Sequence, residues 1–461
     1  MKRCAALLVL LISVAGGLAL AQSNVGSITG ILTDRTGAAI PGGEVVVSSR
    51  DTGIVYRTRS NEVGVYVAPS LLPGRYQVEV QAPGFKKSQV ELTIETAQKA
   101  RLDITLEVGD ITQEVEVQAS VTPLMQESAE ISETISAREI QNLPLNGRIP
   151  YGLLVLTAGV SAGGDDPSQL AFDDQISING SRTRGNAFVI DGASTTHIGG
   201  IAERIGSIEA IHEFKVLTST YSSEYGRTSG GVITFQVKAG TQNLHGSLYE
   251  FHRNNALNAN NWENNARRVP QTALIRNEFG GTLGGPAPGM NKKMFFFGNY
   301  EGLRDRIPLN QSRTIPDPSL RTGNFSGTPV VVNDPLTGRP FPNNTIPADR
   351  LDPAALKFLQ LFPRPNTVGT FNPRFGISTN NWLRAGPRSD SKNYGIGRLD
   401  YNPTEKNKFF FTFSHVNEGP RDLVIDFDNV LNTTVGPRFR NIRRATFGYT
   451  RFLRSNHTTE F

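Results

Sequence analysis

The chain has 461 residues, room for two to four domains, and its 46 glycines and 27 prolines favour turn-rich β structure. Its 47 basic and 42 acidic residues leave a formal charge of only +5, dispersed without a basic run, which argues against a nucleic-acid surface. A single cysteine, Cys4, excludes disulfides and thiolate metal sites from the rest of the chain.

The first residues read as a secretory signal peptide over 1–21. Lys2 and Arg3 form a positive start, residues 5–20 are apolar, and Ala19-Leu20-Ala21 gives the small-residue cleavage pattern, with cleavage set by Ala19 and Ala21. The apolar run is too short and too clearly followed by a cleavage site to be read as a membrane anchor. No later stretch is apolar for long enough to form a membrane helix, so membrane entry would require a barrel.

Residues 24–109 alternate short β runs with turns at 35–37, 41–43, 72–74 and 83–85. The segments GILTDRTGAAIPGGEV (30–45), NEVGVYVAPSLLPGRYQVEVQAPGF (61–85) and LEVG (106–109) resemble the carboxypeptidase regulatory-like domain. That resemblance implies a transthyretin-like β-sandwich, grouped with carbohydrate-binding-like folds and without peptidase activity.

Residues 110–120 link this domain to the next and contain Glu114, Val115, Glu116 and Val117. The run has two readings: a strand that pairs with another protein by β-augmentation, or the last strand of the sandwich. Beyond it, 131–143 reads as an amphipathic helix with Ser136 as N-cap, ended by LPLNGR (143–148). FVIDG (188–192) reads as a buried strand ending in an Asp-Gly turn. Between 207 and 241 two β runs flank EYGRTSGG, whose Gly230-Gly231 pair permits a sharp turn or close approach of another segment.

This last stretch resembles the end of the plug domain of TonB-dependent outer-membrane receptors, on Ile208, Glu209, Ile211, Tyr225, Gly226, Gly230, Gly231, Val232, Ile233, Thr234 and Lys238. LPLNGR resembles the Oar-like, acidobacterial branch of that family. The resemblance implies a plug over 121–240 and makes 114–117 a candidate TonB box. It also implies a TonB-type energising protein as partner, outer-membrane lipid around the barrel, and an N-terminal domain in the periplasm.

From 241 onward six strands are expected, at 244–253, 273–285, 293–303, 392–401, 408–416 and 441–453. The connections alternate long, short, long, short, long, as transmembrane barrels alternate extracellular loops with periplasmic turns. Phe409, Phe411 and Phe413 share one face, and Phe410, Thr412 and Ser414 the other. A half-buried soluble sandwich would show the same alternation. The Asn-rich loop 254–265 holds Trp262, Asn264 and Asn265, which could stack and hydrogen-bond a small ligand or glycan, or simply form a surface loop.

The fold expected is mainly β: a sandwich, an α+β plug, and the first strands of an incomplete barrel over 241–461. A plugged barrel of this class needs about 22 strands, so the sequence reads as ending in mid-barrel, inactive as that fragment. None of the six histidines forms a metal motif, and no nucleophile elbow or phosphate loop occurs, so neither catalysis nor a cofactor is expected. The function implied by the resemblance is uptake of an unknown siderophore, oligosaccharide or peptide. The alternative is a secreted or surface-exposed β-sandwich adhesin or carbohydrate-binding protein.

Overall fold

The computed structural model describes residues 25–109, 114–117, 129–145, 148–162, 176–196, 206–226, 228–260, 262–266, 270–271, 273–290, 292–306, 309–386, 389–421, 438–454 and 457–460. The expected cleavage residues Ala19 and Ala21 lie outside them. No helix among the described residues is long and apolar enough to cross a membrane.

The N-terminal unit packs two sheets face to face. One has β1 (Gly26–Asp34) between β4 (Val65–Leu71) and β7 (Lys99–Arg101), with β8 (Ile104–Leu106) also beside β1. The other runs β3 (Val55–Arg59), β2 (Glu44–Ser49), β5 (Gly74–Gln81), β6 (Lys87–Ile94), β9 (Glu114–Val117). Alternate residues of each strand point inward: Ile28 and Leu32 from β1, Val45 and Val47 from β2, Val78 and Val80 from β5 are all buried. Gly30 is required by close approach. A Cβ there would run into the Leu102 carbonyl, which belongs to the chain held against β1 by the Leu102 N–H bond to Thr29 O of 2.9 Å.

The plug is built on a five-stranded sheet ordered β10 (Ile131–Ile135), β15 (Ile211–Ser219), β16 (Val232–Val237), β13 (Ala187–Ile190), β14 (Ala193–Ser194). A two-stranded ribbon, β11 (Val160–Ala162) with β12 (Ile176–Ile178), packs beside it. The helix expected over 131–143 is shorter than that. Residues 131–135 are a strand, and only α1 (Ala137–Asn142) is helical. The β-branched residues Ile131, Thr134 and Ile135 suit a strand, and the edge of β15 offers them an antiparallel ladder. Ser136 does cap α1. Its hydroxyl accepts from the Glu139 N–H while Glu139 bonds back to the Ser136 N–H, a reciprocal capping box.

The chain then forms a seven-stranded antiparallel sheet in sequential order. It begins with β17 (His245–Asn254), a loop bearing α2 (Trp262–Ala266), β18 (Ile275–Pro286) and β19 (Met294–Arg306). A long loop follows, with β20 (Leu309–Arg313), α3 (Pro318–Arg321), α4 (Pro353–Leu359), β21 (Thr370–Asn372), β22 (Ile377–Thr379) and β23 (Trp382–Gly386). The sheet resumes with β24 (Ser389–Thr404), β25 (Asn407–Arg421), β26 (Arg438–Arg454) and β27 (His457–Glu460). From β19 onward the expected strands run longer than the sequence suggests, because the ladders continue past the apolar band; β27 is additional to the six expected, its residues being polar. Among the described residues the sheet is an open wall, with β17 and β27 at its edges. Its plug-facing residues Phe297 and Ile396 join the plug core.

The sandwich lies at the end of the wall that carries the short turns. Arg57 pairs with Glu405 in the β24–β25 turn, and Lys408 donates to Ser70 O at 3.1 Å. The long connections, including the folded 309–386 loop, leave the opposite end. The substitution Gly30→Ala is expected to destabilise the sandwich by about 3 kcal/mol or more, because the obstacle is backbone. Limited proteolysis across 25–109 would show it as cleavage within β1 and β4 at denaturant concentrations that the unchanged protein survives.

Candidate functional site at the plug–wall boundary

The plug meets the wall through charges exchanged in both directions. Asp191, from the Asp-Gly turn after β13, sits in the left-handed region with φ +48. One carboxylate oxygen accepts from the Val237 N–H and from Arg398 on β24, each at 3.0 Å; the other accepts from Thr412 on β25 at 2.7 Å. Arg398 is 2% exposed and also donates twice to Asp400, two residues along its own strand face, with both bonds 2.9 Å. Its guanidinium lies 5.2 Å from the Phe410 ring centre. Here a plug anion is held by a wall cation.

The reverse pairing lies further round the boundary. Arg148, the last residue of LPLNGR, donates to Glu209 of the plug at 2.9 Å. Its Nε is 2.8 Å from Glu278 of β18, an ion pair without hydrogen-bond alignment. The same guanidinium lies 5.0 Å and 4.3 Å from the rings of Tyr249 and Phe251 on β17. Beside it Glu301 of β19 accepts from Ser207 of the plug at 2.9 Å and from Tyr249 at 2.7 Å. Buried pairs of this kind add little net stability, since desolvation offsets their attraction, but removing one partner strands a buried charge. They fix where the plug seats.

A third buried charge lies where the sandwich meets the plug. Glu213 on β15 accepts from the Thr96 N–H and from its hydroxyl, the latter at 2.6 Å. Burial pushes its carboxyl up to about 7, with Glu95 adding to the rise and the Thr96 bonds and Lys215 opposing it. Burial pushes the neighbouring Lys215 ammonium down; its Nζ is 3.4 Å from the Ala97 carbonyl and 3.9 Å from Glu130.

The residues singled out in sequence are distributed as follows. Glu209 is at the boundary, bound to Arg148. Tyr225 is buried with Val189, Leu217 and Val232, whereas Gly226 faces open space. Gly230, in a backbone bend, and Gly231 both permit close approach: a Cβ on either would strike Asn186 and Ser181, or Ile178 and the Leu217 carbonyl. Glu114, Val115, Glu116 and Val117 form β9, which pairs in parallel with Lys87–Val90 at the sandwich edge. Trp262 is exposed on α2; Asn264 lies in the same helix, and Asn265 accepts from Asn260 at 3.1 Å. These three are not brought to the plug–wall boundary. Sequence reading missed Asp191, Arg398, Glu278 and Glu301 as a set. For Glu278, Glu301 and Arg398 the signal was there, as charged residues on the polar face of Gly- and Phe-rich strands. Among the described residues no three His, Cys, Asp or Glu side chains converge as a metal site.

Residues 236–461 match the family model of an outer membrane beta barrel domain, and residues 27–107 match a carboxypeptidase regulatory-like domain. The TonB-dependent transporter Oar of Myxococcus xanthus is 25% identical over 318 residues, covering 62% of this chain and 27% of Oar. The chain thus spans little more than a quarter of that relative. Similar solved structures include the outer membrane transporter YddB from Escherichia coli, with TM-score 0.37 and 11% identity over 69% of this chain and 44% of that one. Another is the siderophore receptor PirA from Acinetobacter baumannii, with TM-score 0.37 and 16% identity over 69% and 37%. An outer membrane beta barrel domain preceded by a carboxypeptidase regulatory-like domain makes the chain similar to the TonB-dependent transporters of the outer membrane. The chain is a homologue of Oar.

Two outcomes follow from the buried charges. Arg398→Met leaves Asp191 and Asp400 without their cation and is expected to cost about 3–5 kcal/mol. The plug becomes protease-sensitive, and adding Asp191→Asn recovers part of the loss. For Glu213, the raised carboxyl value means that its contribution to stability is fully present below pH 4.5 and is lost as the pH rises through about 7. The shift from 4.5 to about 7 corresponds to about 3 kcal/mol. Thermal melts from pH 5 to 8 should fall more steeply for the unchanged protein than for Glu213→Gln.

Proposed function

We propose that this protein takes up a small ligand or glycan across the outer membrane, without covalent chemistry, driven by a TonB-type partner acting from the periplasm. The observation that carries this reading is that the wall is inside-out. Its polar face is buried on the plug, with Arg398 2% and Thr412 1% exposed, while Leu248 is 93% and Phe447 63% exposed on the other face. A soluble sandwich buries its apolar face; a wall with lipid outside and a polar plug inside does the reverse. Tyr401, Phe409 and Tyr449 stack at the short-turn end of the exposed face, with ring centres 6.2 Å and 4.5 Å apart. That is where an interfacial aromatic girdle would sit.

On this reading the sandwich is periplasmic and the long loops are extracellular. The 309–386 loop is folded well enough to present a ligand-facing surface. Ile315, Trp382 and Phe362 form its core, and Arg321 ties α3 to the Pro316 and Phe362 carbonyls at 2.9 Å and 2.7 Å. Residues 114–117 are the candidate TonB box. β9 is the terminal strand of its sheet among the described residues, and its outer edge is suited to accept a further strand.

The test is capture by the periplasmic domain of a TonB-type protein, with the full chain and with residues 110–120 deleted. Capture of the full chain and its loss on deletion are expected. Retained capture after deletion would remove the box assignment, and no capture of either would remove the TonB-driven reading.

A further inference from the structure

The sandwich grips three separate parts of the receptor. On the plug, Thr96 is wholly buried and gives both its donors to Glu213, while Lys215 reaches the Ala97 carbonyl. At the crossing from plug to wall, the Gln242 N–H donates to Asp51 O at 2.9 Å. On the wall, Phe452 of β26 is buried in the sandwich's own apolar cluster, 4.9 Å from the Tyr56 ring, with the Lys408 ammonium 5.1 Å over its ring. Arg57 pairs with Glu405 on the adjoining turn.

The chemistry of the plug contact matters. β15 is an internal strand whose Phe214 and Val216 fill the plug core, while Glu213 and Lys215 fall on its other face. A buried carboxylate there is tolerable only because another domain, 117 residues away in sequence, supplies two donors. Released from the sandwich, the same carboxylate would be satisfied by water. The contact is therefore specific when made and cheap to leave, unlike an apolar seam. It also lies close to the candidate box. β9 pairs with β6, and β6 runs directly into the turn that carries Thr96 and Ala97.

We propose that the sandwich is a releasable clasp, holding plug strand β15 against the short-turn end of the wall, and that it must let go before β15 can move. Its role in uptake rests on the receptor reading above; the clasp itself does not. The pairing of β9 with β6 couples 114–117 to the Thr96 turn.

Hydrogen exchange on the full chain in detergent, with no TonB-type protein present, tests the clasp separately. Glu213→Ala and Phe452→Ala are each expected to speed exchange of residues 95–98 and 211–219 by at least about tenfold, with β2 and β5 still protected. Glu213→Gln keeps an acceptor for Thr96 and should stay within about threefold of the unchanged protein. If Glu213→Ala also loses protection in β2 and β5, Thr96→Val replaces it and is expected to loosen the same two segments. Unchanged exchange at 95–98 and 211–219, with β2 and β5 protected, overturns the clasp and leaves the receptor reading standing. Failed capture by the TonB-type domain would do the opposite.

Discussion

Arg398 between Asp191 and Asp400 is the contact on which the rest of the arrangement depends. A guanidinium excluded from water must be matched on nearly every N–H, and the match comes from both sides of the plug–wall boundary. Asp191 can supply its share only because its turn holds it in the left-handed region, and because Val237 and Thr412 bind its remaining lone pairs. The plug seats in one position because any other leaves one of these groups unpaired. Arg148, with Glu209 and Glu278, repeats the logic with the signs exchanged.

That polar boundary explains why the wall looks inverted. Its inner face carries Glu278, Glu301, Arg398, Asp400 and Thr412 because it must hold a polar plug. Leu248, Phe411, Phe413 and Phe447 are left to the outer face, where lipid makes burial against protein unnecessary. The two faces are thus solutions to different solvents, and the strand's period of two lets one sequence satisfy both.

Much of this was legible in the sequence. The sandwich is readable because its turns recur between strictly alternating strands, and α1 because Ser136 and Glu139 stand three apart. The wall strands are readable from Phe409, Phe411 and Phe413 against Thr412 and Ser414. Reading failed at 131–135, where β-branched residues before a good cap resembled the first turns of the helix. It failed at β27, where polar residues pair only because a neighbouring edge is present. Trp262, Asn264 and Asn265 drew notice for their composition, but composition does not say where a loop is carried.

What the sequence by itself determined is the sandwich and the main wall strands, their order and their two-faced character, because periodicity and turn chemistry are local. What only the tertiary structure decided is which face is buried and which charges meet. Asp191 and Arg398 are 207 residues apart, and nothing local to either names the other. Alternation also specifies two faces without saying which one meets protein. That choice belongs to the plug, and it is visible only once the plug is in place.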